Sequence, residues 1–359
     1  MTGRNQTSAA VGGGSIPAMT TKQAATWPTR LAPAWPVLWK HVRRWGPLVF
    51  GVVVFGLLVS QAHRIDWSGA WQALKGYEPL FLLKVLGLAT VSHALYACFD
   101  LVGRRHTGHR LPRLLTWCIA LASYGFTLNL GSLIGGVATR ARLYLRAGLD
   151  EVTIAQIVGV SVATNWMGYA LVAGGLFAAG AIRPPPQIPL SPAAFQAIGF
   201  AMLALAGVYV VACALARGRV WRVRRRDIHL PSPGLALVQL AVSAVNWSLM
   251  GAAMYLLLNG RVPYATTLSV LLAASIIGVL TPVPAGLGVL EAVYLALLSG
   301  SVPQGTLMGA VLAYRALYYV VPLGGAIALY LGLERRLAKR SDPGGPRTGA
   351  TAQTGDRTA

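Results

Sequence analysis

Two ionisable side chains, Glu291 and Arg315, stand inside long apolar segments near the end of the chain. Arg315 lies about ten residues into its segment, roughly 15 Å along a helix that rises about 1.5 Å per residue. A charge in such surroundings is costly without a partner, and Glu291 is the nearest acid in the sequence. The pair therefore predicts either a structural ion pair or a cationic contact for a phosphate group. Tyr318, one helical turn after Arg315, extends the polar face of that segment.

Two asparagines, Asn165 and Asn246, lie in the middle of two other apolar segments, and each precedes a tryptophan. Polar residues at that depth often join helices by hydrogen bonds. The alternative is a polar path at the depth of Arg315. A basic cluster, Arg140, Arg142 and Arg146, follows another apolar segment. It is either a membrane-interface anchor or a contact for anionic lipid head groups.

Residues that break helices interrupt two of the apolar segments. They are Asn129, Gly131, Gly135 and Gly136 in the first segment, and Pro282, Pro284, Gly286 and Gly288 in the second. Backbone groups freed by such residues are tolerated at membrane depth only inside protein or beside a water-filled cavity. Both segments therefore predict a turn within the protein.

The composition indicates which elements hold these residues. Of 359 residues, 55% are hydrophobic and 11% are charged, whereas soluble chains carry about 25% charged residues. Since a membrane helix needs about 20 apolar residues, the sequence predicts an all-α polytopic membrane protein and excludes soluble folds. The apolar segments run approximately over 47–62, 79–101, 114–137, 152–180, 193–216, 233–258, 266–300 and 305–333.

The acids and cysteines argue against most enzyme classes. Only ten Asp and Glu residues occur, and there is no HExxH motif, no acidic doublet facing a lumen and no Gly-rich phosphate loop. The three cysteines lack CxxC spacing. We therefore expect no metal site and no cofactor. The net charge of +21 would suggest nucleic acid in a soluble protein, but here it indicates topology, and no nucleic-acid partner is expected.

The distribution of basic residues predicts the orientation in the membrane. Of the 31 Lys and Arg residues, 25 fall in the arm 1–46, in the loops 102–113, 138–151 and 217–229, and in the tail 334–359. By the positive-inside rule both termini are cytoplasmic. The arm 1–46 and the tail 334–359 are expected to be disordered.

The predicted orientation then restricts how often two of the apolar segments can cross the membrane. If 102–113 and 138–151 are both cytoplasmic, segment 114–137 must enter and leave on one side, and 266–300 must do so on the outer side. The chain would then have about six full spans and two re-entrant hairpins, in inverted repeats over approximately 47–180 and 193–333, an arrangement typical of secondary transporters. A single span at 114–137, with an irregular topology elsewhere, is the alternative.

The two broken segments resemble the lysylphosphatidylglycerol synthase transmembrane-region family, or flippase-like domain family. The resemblance rests on NLGSLIGGVATRARLYL at 129–145, on PVPAGLGVLE at 282–291 and on Tyr314-Arg315 followed by Pro322 and Gly325. Ala285 stands where the family usually has glycine. The stretch TNWMGY at 164–169 is similar to stand-alone, YbhN-type members.

The resemblance implies a multi-pass protein of the bacterial inner membrane that moves or presents phospholipids, with anionic lipids as partners. About 25 residues follow the last span, so the soluble synthase domain of bifunctional relatives, and its enzymatic activity, is expected to be absent. The alternative function is a non-transporting scaffold for a lipid-synthesis enzyme or a cell-envelope complex.

A cysteine placed at Arg146 tests the predicted topology. Because 138–151 is expected to face the cytoplasm, an impermeant maleimide added to intact cells should leave this cysteine unmodified, and permeabilised cells should show it labelled. Labelling from outside would contradict the inverted repeats.

Overall fold

The computed structural model describes residues 72, 75–181, 191–216, 219, 221–223, 226–228, 230–280, 286 and 288–341. The helices are α1 (Pro79–Thr107), α2 (Arg113–Leu130), α3 (Thr139–Arg146), α4 (Glu151–Ala178), α5 (Pro192–Leu215), α6 (Pro233–Leu257), α7 (Tyr264–Leu280), α8 (Val289–Leu298), α9 (Gln304–Tyr314) and α10 (Val321–Ser341). Two π-helical segments, π1 (Ser132–Ala138) and π2 (Arg315–Val320), precede α3 and α10. Strands β1 (Trp221–Val223) and β2 (Arg226–Ile228) form a small antiparallel hairpin.

The helices confirm the predicted all-α membrane fold. Five described helices are long and apolar enough to cross a bilayer: α1, α4, α5, α6 and the continuous α9–π2–α10 helix. Helices α7 and α8 are apolar but shorter. The arm 1–46 and the apolar segment 47–62 lie outside the described residues.

Local signals in the sequence set where three of the long helices begin. Asp150 caps α4, because its side chain accepts hydrogen bonds from the amides of Val152 and Thr153 at 3.0 Å. The bonds from Thr153 lower the pKa of the Asp150 carboxyl. Ser191 and Ser232 cap α5 and α6 in the same way, each just before a proline.

The first broken segment folds into an antiparallel hairpin, here called hairpin 1, that comprises α2, π1 and α3. The chain turns at Gly131, whose φ of 83° and ψ of 167° define a backbone region that only glycine adopts readily. After the turn Gly135 packs on the preceding helix, where a β-carbon would lie 2.1 Å from the carbonyl oxygen of Phe126. At the open end, the Tyr144 hydroxyl lies 3.5 Å from the carbonyl oxygen of Thr116.

The second broken segment folds into hairpin 2, which comprises α7 and α8. Gly286 and Gly288 have φ values of 57° and 79° in the turn, whereas Pro282 and Pro284 lie outside the described residues. Gly278 lies beside the turn, since a β-carbon on it would be 4.0 Å from the Gly286 α-carbon. The Tyr294 hydroxyl donates to the carbonyl of Thr267 at 3.2 Å.

The two hairpins resemble each other in one contact. In each, a tyrosine hydroxyl on the returning leg lies near a threonine carbonyl on the outgoing leg, at 3.5 Å for Tyr144 and Thr116 and at 3.2 Å for Tyr294 and Thr267. The tyrosines are 150 residues apart in the sequence, and so are Gly136 and Gly286 of the two broken segments. This likeness supports the predicted repeats, whose inversion across a membrane stays a prediction.

The last helix extends further than the sequence predicted. Residues 334–341, expected to begin a disordered tail, are helical as far as Ser341. The helix continues because Glu334 forms an ion pair with Arg142 and because Leu337, which is only 4% exposed, packs against the bundle. The remaining tail, 342–359, lies outside the described residues.

We predict that Gly135→Ala destabilises the protein, because its methyl group would overlap the Phe126 carbonyl. Overpacking of this kind costs about 1 to 3 kcal/mol. Gly159→Ala is the matched control, since it lies within α4 with nothing within 4 Å of its β-carbon position. Alanine should there be neutral or stabilising by up to about 1 kcal/mol. Thermal unfolding in detergent compares the two variants, and equal midpoints would contradict the close packing of hairpin 1.

Candidate functional site

Arg315 binds hairpin 2 through three hydrogen bonds. Its Nε donates to Oε1 of Glu291, and its Nη2 donates to Oε2 of the same carboxylate at 2.9 Å. Nη2 also donates to the Gly286 carbonyl in the turn at 2.8 Å. A guanidinium and a carboxylate in this bidentate arrangement form one of the stronger hydrogen-bonded pairs in proteins. The ion pair expected from the sequence is therefore present.

The position of this pair follows from the elements around it. Glu291 lies in the first turn of α8, where the helix N-terminus stabilises a carboxylate. Arg315 is the first residue of π2 and is only 5% exposed. Its guanidinium also lies over the Tyr319 ring, 5.6 Å from the centroid. The pair thus fastens hairpin 2 to the last helix, and an anion that reaches Arg315 must compete with Glu291.

A central polar cluster, comprising Ser92, His93, Tyr124, Asn246 and Tyr318, lies between α1, α2, α6 and π2. The Ser92 hydroxyl is 2.8 Å from Oδ1 of Asn246 and 2.6 Å from the Tyr318 hydroxyl. The Tyr124 and Tyr318 hydroxyls are 3.4 Å apart. All five side chains are buried. Sequence analysis selected Asn246 and Tyr318 but missed Ser92 and Tyr124, because single small or aromatic residues give no signal in an apolar helix.

His93 is the member of this cluster with an unused polar atom. Its Nδ1 lies 2.8 Å from the Ala89 carbonyl, whereas its buried Nε2 has no hydrogen-bond partner among the described residues. The ring lies between Tyr124 and Tyr318, with centroids 4.8 and 4.9 Å away. The cluster therefore retains hydrogen-bonding capacity at the Nε2 atom of His93.

A second buried ion pair fastens hairpin 1 to α1. Nε of Arg140 donates to Oδ2 of Asp100 at 3.1 Å, and the Tyr144 hydroxyl donates to the same oxygen at 2.9 Å. Asp100 is fully buried and Arg140 is 4% exposed. Arg140, selected as a head-group contact, is thus held by Asp100. The sequence did show Asp100 as one of two acids inside apolar segments, but it did not show its partner.

The other arginines of the basic cluster also have acidic partners. Arg142 and Arg146 both pair with Glu334 of α10, and Nε of Arg142 is 2.6 Å from its carboxylate. The Arg142 and Arg146 side chains are 23% and 37% exposed, so they are more accessible to solvent than the side chain of Arg140. The cluster joins hairpin 1 to the end of the last helix.

Aromatic rings connect the two buried ion pairs. Arg140 lies over the Tyr96 ring at 5.7 Å, and Tyr96 stacks on Tyr124 with centroids 3.6 Å apart. Tyr124 meets Tyr318 in the central polar cluster, and the Tyr318 and Tyr319 rings are 5.9 Å apart. Tyr319 then lies under Arg315. A continuous polar-aromatic route therefore links Asp100 to Glu291 through the centre of the molecule.

The remaining selected residues hold helices together. The Asn165 carbonyl accepts from the Trp247 indole at 3.4 Å, so the two Asn-Trp pairs lie side by side across α4 and α6. The Asn129 amide donates to the Gly125 carbonyl at 2.9 Å and to the Tyr319 carbonyl in π2 at 3.1 Å. Gly136 packs beside Thr127, where a β-carbon would be 2.9 Å from the hydroxyl oxygen.

The sequence of this chain matches those of known proteins over most of its length. A family model described as the lysylphosphatidylglycerol synthase TM region matches residues 45–325. The chain belongs to this family. The inner membrane protein YbhN of Escherichia coli (strain K12) is 40% identical over 74% of this chain and 82% of its own length. The uncharacterized protein slr0712 of Synechocystis is 28% identical over 72% of this chain and 82% of its own length.

The match covers both hairpins and π2, so this family member carries its buried ion pairs within the shared region. Among the described residues, no group of three His, Cys, Asp or Glu side chains could hold a metal ion. The described residues of the site bring together paired charges, hydroxyls and aromatic faces.

Removing one partner of the Asp100–Arg140 pair should destabilise the protein strongly. Arg140→Gln leaves a buried carboxylate without its cation, at a cost of about 3 to 5 kcal/mol, and Asp100→Asn in the same chain should recover much of the loss. Arg142→Gln is the control, since its partly exposed pair should be worth at most about 1 kcal/mol. Thermal stability in detergent measures all three variants. A fall for Arg142→Gln as large as that for Arg140→Gln would contradict the difference in burial.

Proposed function

We propose that this family member is an inner-membrane, flippase-like transporter that moves or presents anionic glycerophospholipids between leaflets. The observation that carries the proposal is the bidentate pair between Arg315 and Glu291, at the joint between hairpin 2 and the last helix. Membership of the family and the relative named an inner membrane protein support the location.

The mechanism follows from the geometry of the guanidinium group. A phosphate diester presents two oxygens to arginine much as a carboxylate does, so it can take the place of Glu291. Arg315 would then lose its hydrogen bonds to both Glu291 and the Gly286 carbonyl, because the same guanidinium donates to both groups. Hairpin 2 would be released from π2 when a head group arrives. The first turn of α8 would continue to stabilise the freed carboxylate.

Opposed hairpins would give the molecule a gate on each side. In the proposed topology both termini are cytoplasmic, hairpin 1 enters from the cytoplasm and hairpin 2 from outside. Substrate sites of inverted-repeat transporters lie near the bilayer midplane between the repeats. The central polar cluster, with its hydroxyls and the free Nε2 of His93, has the place and chemistry to pass a head group between the hairpins. The sequence has no ATP-binding motif, and the proposed movement is passive, gradient-linked or driven by a partner.

The experiment separates a phosphate contact from a structural ion pair. Glu291→Gln should lower thermal stability, because it strands the buried guanidinium of Arg315 at a typical cost of about 3 to 5 kcal/mol. Arg315→Gln should lower it less, because the Glu291 carboxylate that it strands is 16% exposed. The double variant should regain stability. If Arg315 reads phosphate, the double variant should still lose most exchange of fluorescent phosphatidylglycerol in proteoliposomes.

The control removes charge away from the proposed path. Arg105→Gln with Arg335→Gln eliminates two exposed basic side chains that take no part in the ion pairs described above, and this variant should keep its exchange activity. Full exchange by the Glu291–Arg315 double variant would reduce that pair to a structural role. No exchange by the wild type, with or without a lipid gradient, would favour a scaffold of a lipid-synthesis or envelope complex.

A further inference from the structure

An apolar groove lies between the start of α2 and the end of α10, away from Arg315 and the central polar cluster. It has a volume of about 380 Å³. Its walls are Leu114, Leu115 and Cys118 on one side and Leu333 and Leu337 on the other. This volume is near the lower limit for small-molecule pockets, so the groove can take part of an acyl chain and not a whole lipid.

Two basic side chains, Arg336 and Lys339, complete the lining of the groove. Leu333, Arg336 and Leu337 follow at offsets of three and four, so apolar wall and charge share one helix face. Arg336 and Lys339 are exposed, and neither pairs with a carboxylate that the structure describes.

The acid on this turn of α10 is already engaged elsewhere. Glu334 points to hairpin 1, where it pairs with Arg142 and Arg146. The groove therefore has an apolar body and two positive charges that have no carboxylate partner among the described residues. The complementary ligand has a hydrocarbon chain and a negative head group.

We propose that this groove binds one anionic phospholipid, with part of an acyl chain along the leucines and the phosphate against Arg336 and Lys339. Basic residues near a membrane surface attract anionic lipid by about 1 kcal/mol per charge, and the apolar wall adds the burial of methylene groups. The inference does not rest on the proposed transport, because the site is separate from Arg315. It assigns a bound lipid at the end of the molecule where α2 begins.

Native mass spectrometry of the full-length protein in detergent tests the site. The protein is titrated with phosphatidylglycerol or phosphatidylethanolamine carrying identical acyl chains, and the first bound lipid is counted. The wild type should prefer phosphatidylglycerol by about ten-fold or more, the size expected of two partly screened basic charges. Arg336→Gln with Lys339→Gln should remove most of this preference while the thermal midpoint stays unchanged, since both side chains are exposed.

The matched control removes the same charge from the same end of the molecule. Arg105 and Arg335 are exposed and do not line the groove, so their double change to Gln should preserve the preference. Equal loss in both double variants would overturn the site in favour of a general charge effect, as would an unchanged preference in Arg336→Gln with Lys339→Gln. Displacement of phosphatidylglycerol by millimolar inorganic phosphate would show that the charges bind a free anion without the groove. Loss of exchange activity in any variant bears on transport and leaves this comparison intact.

Discussion

A charge in an apolar interior needs a partner, and this requirement holds the broken parts of the protein in place. The turns of both hairpins interrupt backbone hydrogen bonding, so the backbone alone does not fix them against their neighbours. Asp100 and Arg140 fasten hairpin 1 to α1, and Glu291 and Arg315 fasten hairpin 2 to the last helix. Breaking either ion pair costs free energy, because it leaves a charge without a partner. Each hairpin therefore keeps its position unless it can move to another position in which the charge again has a partner.

The residues that could be predicted from the sequence are those whose presence in a membrane segment needs a special explanation. Glu291 could be predicted as the partner of Arg315 because few acids lie within the apolar segments. Gly131 and Gly286 could be predicted to lie in turns because glycine destabilises a continuous helix. The partner of Asp100 could not be found in this way. Arg140 is 40 residues away in a cluster that the positive-inside rule already explains, and only the folding of hairpin 1 brings it back to α1.

The helical state of 334–341 could not be predicted for a related reason. These residues are polar and follow an apolar span, a pattern typical of a tail. Their order depends on Arg142, nearly 200 residues earlier, and on the burial of Leu337 in a core that local hydropathy does not reveal. The central polar cluster shows the same limit, because Ser92, Asn246 and Tyr318 meet from three separate segments.

The last helix must keep a fixed number of residues between Arg315 and Glu334, and it begins that stretch with the π-helical turn at Arg315–Val320. A π-helical turn holds one residue more than the α-helical turn it replaces, and its wider hydrogen bonding leaves carbonyls such as that of Tyr319 free for Asn129. Loss of one residue within this turn would restore a regular helix, whereas loss of one residue after it, within α10, would rotate everything that follows by about 100° relative to Arg315. Glu334 would then face away from Arg142 and Arg146. An insertion or deletion between Val321 and Glu334 would therefore break the contacts of Glu334 with hairpin 1 or those of Arg315 with hairpin 2.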